Sequence, residues 1–452
     1  MGYGDIGPFG STVNRTPHLD QMAAEGMKLT SFYAAPVCTP SRASLMTGSY
    51  PIRNGLQTGS WHPVLMPGDT QGIHAGEITV AEILKQQGYA TGIIGKWHLG
   101  DQPEFLPNQH GFDYHYGLPY SNDMSPFLPL NSRNHPPLAL LRNGEVIREV
   151  PEDQSFLTGS YTGEALKFIE QHQKEPFLLY LPHSMVHVPL YAGDEFRGKS
   201  GNGILGDAIE ELDWSTGQVL AKLRELGLAE NTLVLFTSDN GPSRGSAGPL
   251  RGRKGSTWEG GMREPTIAWW PGTVPPGTSY DGVASTMDIL PTFAALAGTS
   301  APPGRTIDGH DISAILKGDL DQPSAYDAFY YYRGYQLRAV RSGKWKLHTS
   351  GDLYDLDADI GEATDFSGEK PEIVERLEGL LEKARAELGD GPLWPTDPGI
   401  KLPPTARPIG RVENPKLLIP RHGKTGDAAH EPPIQTKTTP PPPKDYKRPA
   451  NW

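Results

Sequence analysis

Apolar positions along the chain change their period several times, and each change marks an element. Thr16 followed by Pro17 has the form of a capped helix start, and Gly26 stops that helix. Thr79 caps a second helix that runs through Lys85 and ends near Gly88. Ala90 to Ile94 reads as a short strand leading into Gly95-Lys96-Trp97-His98. Helical spacing returns from Tyr161 to His172, with Ala165, Phe168 and Ile169 on one face. Phe177 to Leu181 is an unbroken apolar run, the pattern of a buried strand. A long amphipathic helix is predicted from Ile209 to Leu226. Another buried strand follows, Leu233 to Phe236, ending in Thr237-Ser238-Asp239-Asn240-Gly241. Strands alternating with helices predict an α/β fold in which helices cover a mixed or parallel sheet.

Near Ala325 the texture changes. Tyr330-Tyr331-Tyr332, Leu337 to Val340, Lys344 to His348 and Leu353 to Leu356 are short, closely spaced strand candidates, followed by a helix from Pro371 to Leu388. We read a small antiparallel sheet with one helix over residues 326–390, after a larger unit over residues 1–325. From Gly391 onward proline is frequent and apolar periodicity disappears. Residues 391–452 are therefore expected to be a largely irregular tail, disordered for the most part from Leu418 to Trp452. Within it, Pro440 to Pro443 admits only an extended, polyproline-like path.

The formal net charge of −12 and the lack of any basic run argue against a nucleic-acid groove. An acidic surface still permits an anionic substrate where local cations focus it into a cleft. No apolar run approaches transmembrane length, and no charged-then-apolar leader pattern stands in the sequence. Cys38 is the only cysteine, so no internal disulfide holds the fold, and packing or chemistry must account for it.

Chemistry-bearing residues gather after the predicted strands. Lys96, His98, His183, His187, Asp239 and Asn240 all fall at strand ends, where open α/β sheets place ligands. Each has an ordinary alternative. A free cysteine is commonly a small buried hydrophobe, a histidine is often semi-buried with no chemical role, and Asp-Asn-Gly is a frequent turn. Cys38 is set apart by its neighbourhood. A helical turn reads from Ser41 to Met46 directly behind it, and Arg42, one turn on, would reach back to a charged or hydroxylated nucleophile.

The run Cys38-Thr39-Pro40-Ser41-Arg42, with Thr47-Gly48 after it, resembles the signature of the type I, formylglycine-dependent sulfatases, most of all the arylsulfatase A-like branch of the alkaline phosphatase superfamily. In chain order, Gly95-Lys96-Trp97-His98-Leu99-Gly100, Gly117 to Asp123, His187-Val188-Pro189, Ser238-Asp239-Asn240-Gly241 and Arg253 to Pro265 resemble further family segments. The likeness covers residues 1–390. It implies a large mixed, mostly parallel sheet sandwiched by helices, with a smaller C-terminal antiparallel sheet plus helix. It also implies that a separate formylglycine-generating enzyme oxidises Cys38, and that the hydrated aldehyde attacks the sulfur of a sulfate monoester. Arg42 and His98 would then serve the nucleophile. His187 would be the general acid for the leaving oxygen, with His183 as the competing candidate. Lys96, Ser121 and Lys254 would hold the sulfate. Cys38, Asp239 and Asn240 would ligate a divalent cation, Ca²⁺ or alternatively Mg²⁺. The implied substrate is a sulfated small molecule or sulfated glycan, and the implied location is periplasmic or secreted.

The likeness also exposes a difference. Family members start with a core strand ending in two metal-binding aspartates, just before a segment like Met1-Gly2-Tyr3-Gly4-Asp5. Met1 stands immediately after the place of that pair, and Asp5 is not in register to replace it. The remaining oxygens fall short of the roughly six to eight that Ca²⁺ takes. We expect Met1 to be an internal methionine of a longer natural product. Two alternatives stand beside the hydrolase reading. One is a metal-poor sulfosugar-binding protein without turnover, and the other is a phosphate or phosphonate ester hydrolase using the same nucleophile.

Overall fold

Two half-sheets form the larger unit, and their facing edges frame the region of interest. In this computed structural model, which describes residues 1–59, 62–127, 135–393 and 402–420, the strand Met27–Tyr33 is the centre of the first half. Met27, Leu29, Phe32 and Tyr33 are all buried, which fixes its position in the core. It pairs parallel with Thr278–Tyr280 and Ala284–Ser285, and antiparallel with Arg263–Trp269, which continues antiparallel into Val234–Phe236. The second half has the order Glu145–Val150, Leu138–Arg142, Tyr114–Gly117, Ala90–Ile94, Phe177–Tyr180, with parallel pairing among the last three strands. The expected mixed α/β architecture is present. Its sheet is divided, because among the described residues Phe177–Tyr180 and Val234–Phe236 are outer strands that do not pair with each other. A cavity of about 800 Å³ lies between them, and its lining also takes in Met1, Arg42, Lys96 and His187.

Helices cover the sheet as their apolar stripes require. Pro17–Glu25 starts with proline, which costs nothing at a position whose N–H has no helical partner. Val80–Gln86 is closed by a capping box of Thr79 and Glu82. Leu157–Gln171 and Gly203–Glu225 pack on one another, each extending several residues before its predicted start. Gly95 ends the strand Ala90–Ile94 at φ 133°, and a Cβ there would lie 2.0 Å from the Pro182 carbonyl oxygen. Only glycine allows this crossing, which sets Lys96 beside the segment that carries His187.

Phe329–Arg333, Gln336–Ser342, Trp345–His348 and Leu353–Asp355 form the small antiparallel sheet. Helix Pro371–Glu387 covers it with Leu377, Leu381 and Ala384. This sheet shares one hydrophobic core with Tyr33, Tyr50, Ile52 and Met262 of the larger unit. Part of the expected tail is docked. Gly410–Arg411 pairs antiparallel with Gln71–Gly72, and Arg407 Nε donates to Glu77 Oε1 at 2.7 Å. Residues 421–452, which include Pro440 to Pro443 and most of the predicted disordered stretch, lie outside the described residues. Among the described residues no helix is long and apolar enough to cross a membrane.

Candidate active site

The helix behind the cysteine begins on Cys38 itself and runs to Thr47, three residues earlier than its sequence signal at Ser41. Pro40 is tolerated because the first-turn N–H groups have no partner within the helix. Ser41 Oγ accepts from Ala35 N–H at 3.1 Å, tying the incoming loop to the first turn. Gly48, at φ 66°, ends the helix by donating to Ser44 O at 2.9 Å. Cys38 is thereby buried at a helix N-terminus, where the aligned peptide dipoles favour negative charge.

Around Cys38 a continuous chain of polar contacts brings together most of the residues singled out from sequence. Cys38 Sγ is 3.4 Å from Asn240 Oδ1 and 3.4 Å from Lys254 Nζ. Lys254 Nζ donates to His187 Nε2 at 2.8 Å. His187 Nδ1 lies 2.7 Å from Val188 O and 3.3 Å from Ser121 Oγ, and Ser121 Oγ is 3.3 Å from Lys96 Nζ. With Nδ1 donating to the carbonyl, Nε2 is the acceptor, so His187 is neutral in this arrangement. Arg42 lies beside the chain. Its Nε and Nη2 donate to Asp239 Oδ2 at 3.1 and 2.9 Å, and its Nη1 donates to Lys96 O at 2.5 Å.

The electrostatics follow from the buried Arg42 and Lys96 and the half-buried Lys254 around the half-buried carboxylate of Asp239. Burial works against ionisation of Asp239, but Arg42, Lys96 and Lys254 win and hold its pKa far below the usual carboxylate range. Burial lowers the pKa of Lys96, and Arg42 and Lys254 add to that. At Lys254 burial again opposes the charge, but Cys38 and Asp239 outweigh it and raise the pKa. His187 is pushed well down, first by burial and then by the two lysines. Such a cluster is short of negative charge and suits an anion.

His98 and His183 stand outside this chain of contacts. His98 Nε2 is 3.0 Å from Leu65 O, its carbonyl accepts from Thr39 Oγ1 at 3.1 Å, and its buried Nδ1 has no hydrogen-bond partner among the described residues. It sits beside the helix start without a hydrogen bond to Cys38. His183 Nε2 is 3.2 Å from Ser215 Oγ of the long helix, and burial lowers its pKa to about 4. Both histidines are half-buried and line the same cavity, but the contacts of His183 run to the long helix and those of His187 to Lys254 and Ser121.

Sequence reading passed over four participants. Tyr180 Oη is 3.4 Å from Arg42 Nη1, and its place in an apolar run marked it only as strand. Asp123, two residues after Ser121, has its Oδ1 3.9 Å from His187 Nδ1. Ser238 Oγ accepts from the Met1 ammonium at 3.1 Å. Glu264 is wholly buried, neither carboxyl oxygen has a partner among the described residues, and burial pushes its pKa well up. Nothing in its sequence context signals that state.

The expected metal set of Cys38, Asp239 and Asn240 does not make a calcium site by itself. Asp239 is engaged by Arg42, and Asn240 Oδ1 by the thiol. Among the described residues no group of three or more His, Cys, Asp or Glu is placed to hold a metal ion.

Comparison with known proteins identifies the family. Residues 1–299 match the family model described as Sulfatase, and residues 253–387 match that described as N-sulphoglucosamine sulphohydrolase, C-terminal. The chain is 43% identical over 371 residues to N-acetylgalactosamine-6-sulfatase of Canis lupus familiaris, covering 77% of this chain and 69% of that one. It is 38% identical over 480 residues to arylsulfatase A of Homo sapiens, covering 93% and 91%. The crystal structure of PsFucS1 sulfatase from Pseudoalteromonas sp. superposes with a TM-score of 0.77 at 30% identity, covering 85% of this chain and 88% of that one. The chain belongs to the sulfatase family, in the arylsulfatase A-like part of the alkaline phosphatase superfamily, and is a sulfate ester hydrolase.

Proposed function

We propose that position 38 carries the nucleophile, as formylglycine made from Cys38 by a separate maturation enzyme, and that the substrate is a sulfated carbohydrate. The observation that carries this reading is the unbroken contact chain Asn240–Cys38–Lys254–His187–Ser121–Lys96. Formylglycine, once hydrated, supplies a hydroxyl at residue 38. Lys96, Lys254 and Ser121 bind the sulfate oxygens, the lysines as point charges that oppose the charge leaving with the alcohol. Arg42, fixed by Asp239, holds the nucleophile position electropositive and one helical turn away. His187 protonates the leaving oxygen through Nε2, which accepts a hydrogen bond from Lys254 at 2.8 Å and must first take up a proton to act as the acid. An arriving sulfate adds negative charge beside His187 and draws its pKa upward, towards the range a general acid needs.

The carbohydrate part of the reading is supported by a relative named N-acetylgalactosamine-6-sulfatase and by a solved neighbour, Ps i-CgsB, in complex with k-i-k-neocarrahexaose at 30% identity. Calcium belongs to the reading only with carboxylates beyond Asp239. The cavity between the two open strand edges has room and backbone hydrogen-bonding groups for one more strand. We read it as the seat of the aspartate-bearing strand that the family resemblance calls for. An exported location, periplasmic or secreted, is part of the same proposal.

The test is sulfate release from 4-nitrophenyl sulfate and from sulfated oligosaccharides, with the chain co-expressed with a formylglycine-generating enzyme. Mass spectrometry of the residue 38 peptide reports the conversion. The aldehyde should be present and Cys38→Ala should be inactive. Turnover that survives Cys38→Ala, or an aryl phosphate hydrolysed faster than the sulfate, would overturn the assignment.

A further inference from the structure

The loop that carries Lys254 is held from behind by the C-terminal sheet. At the front, Lys254 N–H donates to Pro242 O at 3.2 Å and Gly255 N–H donates to Pro36 O at 2.8 Å. Behind the loop stands Lys346, on the strand Trp345–His348, wholly buried and charged. Its Nζ donates to Thr257 O at 2.9 Å, to Glu259 Oε1 at 2.9 Å and to Glu362 Oε1 at 2.8 Å. Those three acceptors use all three ammonium protons. Glu362 completes the grip from the turn region that follows the last strand of that sheet, Leu353–Asp355. Its Oε2 accepts from Glu259 N–H at 2.8 Å, and its carbonyl accepts from Arg251 Nη1 at 2.7 Å.

Two features set this arrangement apart from ordinary packing. Glu362 has φ 52° and is wholly buried, a backbone region that side-chain-bearing residues seldom enter unless their surroundings require it. Moreover, a buried ion pair is a poor device for stability, since well-packed apolar residues do as well or better. It does supply geometry. The contacts fix Arg251, Thr257 and Glu259, so Lys254 is bracketed on both sides within a few residues.

We propose that Lys346 and Glu362 are positioning residues for the sulfate site, holding the Lys254 ammonium against His187 and residue 38 through the 251–259 loop. This rests on the reading of Lys254 as a sulfate contact. Neither residue touches substrate, and the C-terminal sheet acts on the anion only through Lys254.

Isothermal titration of the purified full chain with inorganic sulfate tests this without requiring turnover. Thermal melts certify that each variant is folded. Lys254→Ala should weaken sulfate about tenfold, as loss of a charged hydrogen bond does. Lys346→Met should weaken it several-fold, but should add nothing in the Lys254→Ala background, because both act through one ammonium. Glu362→Gln, an isostere, carries the same test if Lys346→Met does not fold. A defective Lys254→Ala beside folded Lys346→Met and Glu362→Gln variants with wild-type affinity would overturn the positioning role alone. Losses that multiply in the double variants would show a general structural effect and also overturn it. Wild-type affinity in Lys254→Ala would remove the sulfate role of Lys254, and the positioning role with it.

Discussion

The molecule buries two charged clusters, one around Cys38 and one around Glu259, and they are finished to different degrees. Around Glu259, Lys346 spends every proton on an acceptor at 2.8–2.9 Å, and Glu259 takes further bonds from Tyr33 and Tyr331. Around Cys38, the ammonium of Lys96 finds, among the described residues, only a 3.3 Å hydroxyl, and Arg42, Lys96 and Lys254 all bear on Asp239. A satisfied network fixes a fold. An unsatisfied one, fixed in advance, stabilises whatever anion completes it. The comparison teaches that burial of charge does not by itself mark a site. The mark is charge left over after the local partners have been counted.

The largest effect that would sharpen this contrast is at the nucleophile. Cys38→Ala should lower kcat for sulfate ester hydrolysis by about 10⁴-fold or more while leaving the melting curve nearly unchanged. Stability should separate the clusters the other way. Glu259→Gln should cost about 3–5 kcal/mol in urea unfolding, because it removes the buried carboxylate that Lys346 and Arg263 share and leaves their positive charge under-compensated. Lys254→Ala removes one of the surplus cations, so it should leave stability unchanged or raise it. If the two variants unfold alike, the distinction between finished and unfinished clusters fails.

A finer probe is the imidazole of His187. Its pKa is held down by burial and then by Lys254 and Lys96. Lys254→Ala should therefore move its titration upward, read by nitrogen-15 NMR of the ring. No movement would mean that the 2.8 Å contact is not made in solution. The smallest effect concerns acids outside both clusters. Burial raises Glu211 to about 8 and Asp288 to about 7. A carboxyl whose folded pKa exceeds its unfolded one stabilises the fold at low pH. That contribution is lost as pH climbs from about 4.5 to the folded value. Unfolding free energy should thus fall between pH 6 and pH 8, by at most about 1.4 kcal/mol per pH unit for each group. Glu211→Gln should flatten the slope, and an unchanged profile would rule that residue out.

Much of the site was legible because its residues follow strands whose apolar runs are short and clean. Ala90–Ile94 matched its predicted span, and Phe177–Tyr180 and Val234–Phe236 each came within one residue. The central strands Met27–Tyr33 and Arg263–Trp269 escaped notice, since Lys28, Thr30, Arg263 and Glu264 interrupt their apolar pattern. Those polar groups are tolerated through tertiary partners such as Thr30 O for Arg263 Nε at 2.6 Å, which a local reading cannot supply. The early helix start at Cys38 was hidden by Pro40, and Lys346 read as one more strand residue because its partners lie some 90 positions away or on a later turn.

The sheet that begins near Phe329 shares its core with Tyr33 and Tyr50, and its Lys346, with Glu362 of the segment that follows it, bonds the 251–259 loop. This bears on how such chains can diversify. Residue 325 is a boundary in sequence texture but a poor crossover point for recombination. A chimaera that exchanged residues 326–390 alone would pair one parent's buried lysine with the other parent's loop. The inheritable unit runs from the loop through the sheet, and variation that survives must change both sides of that contact together.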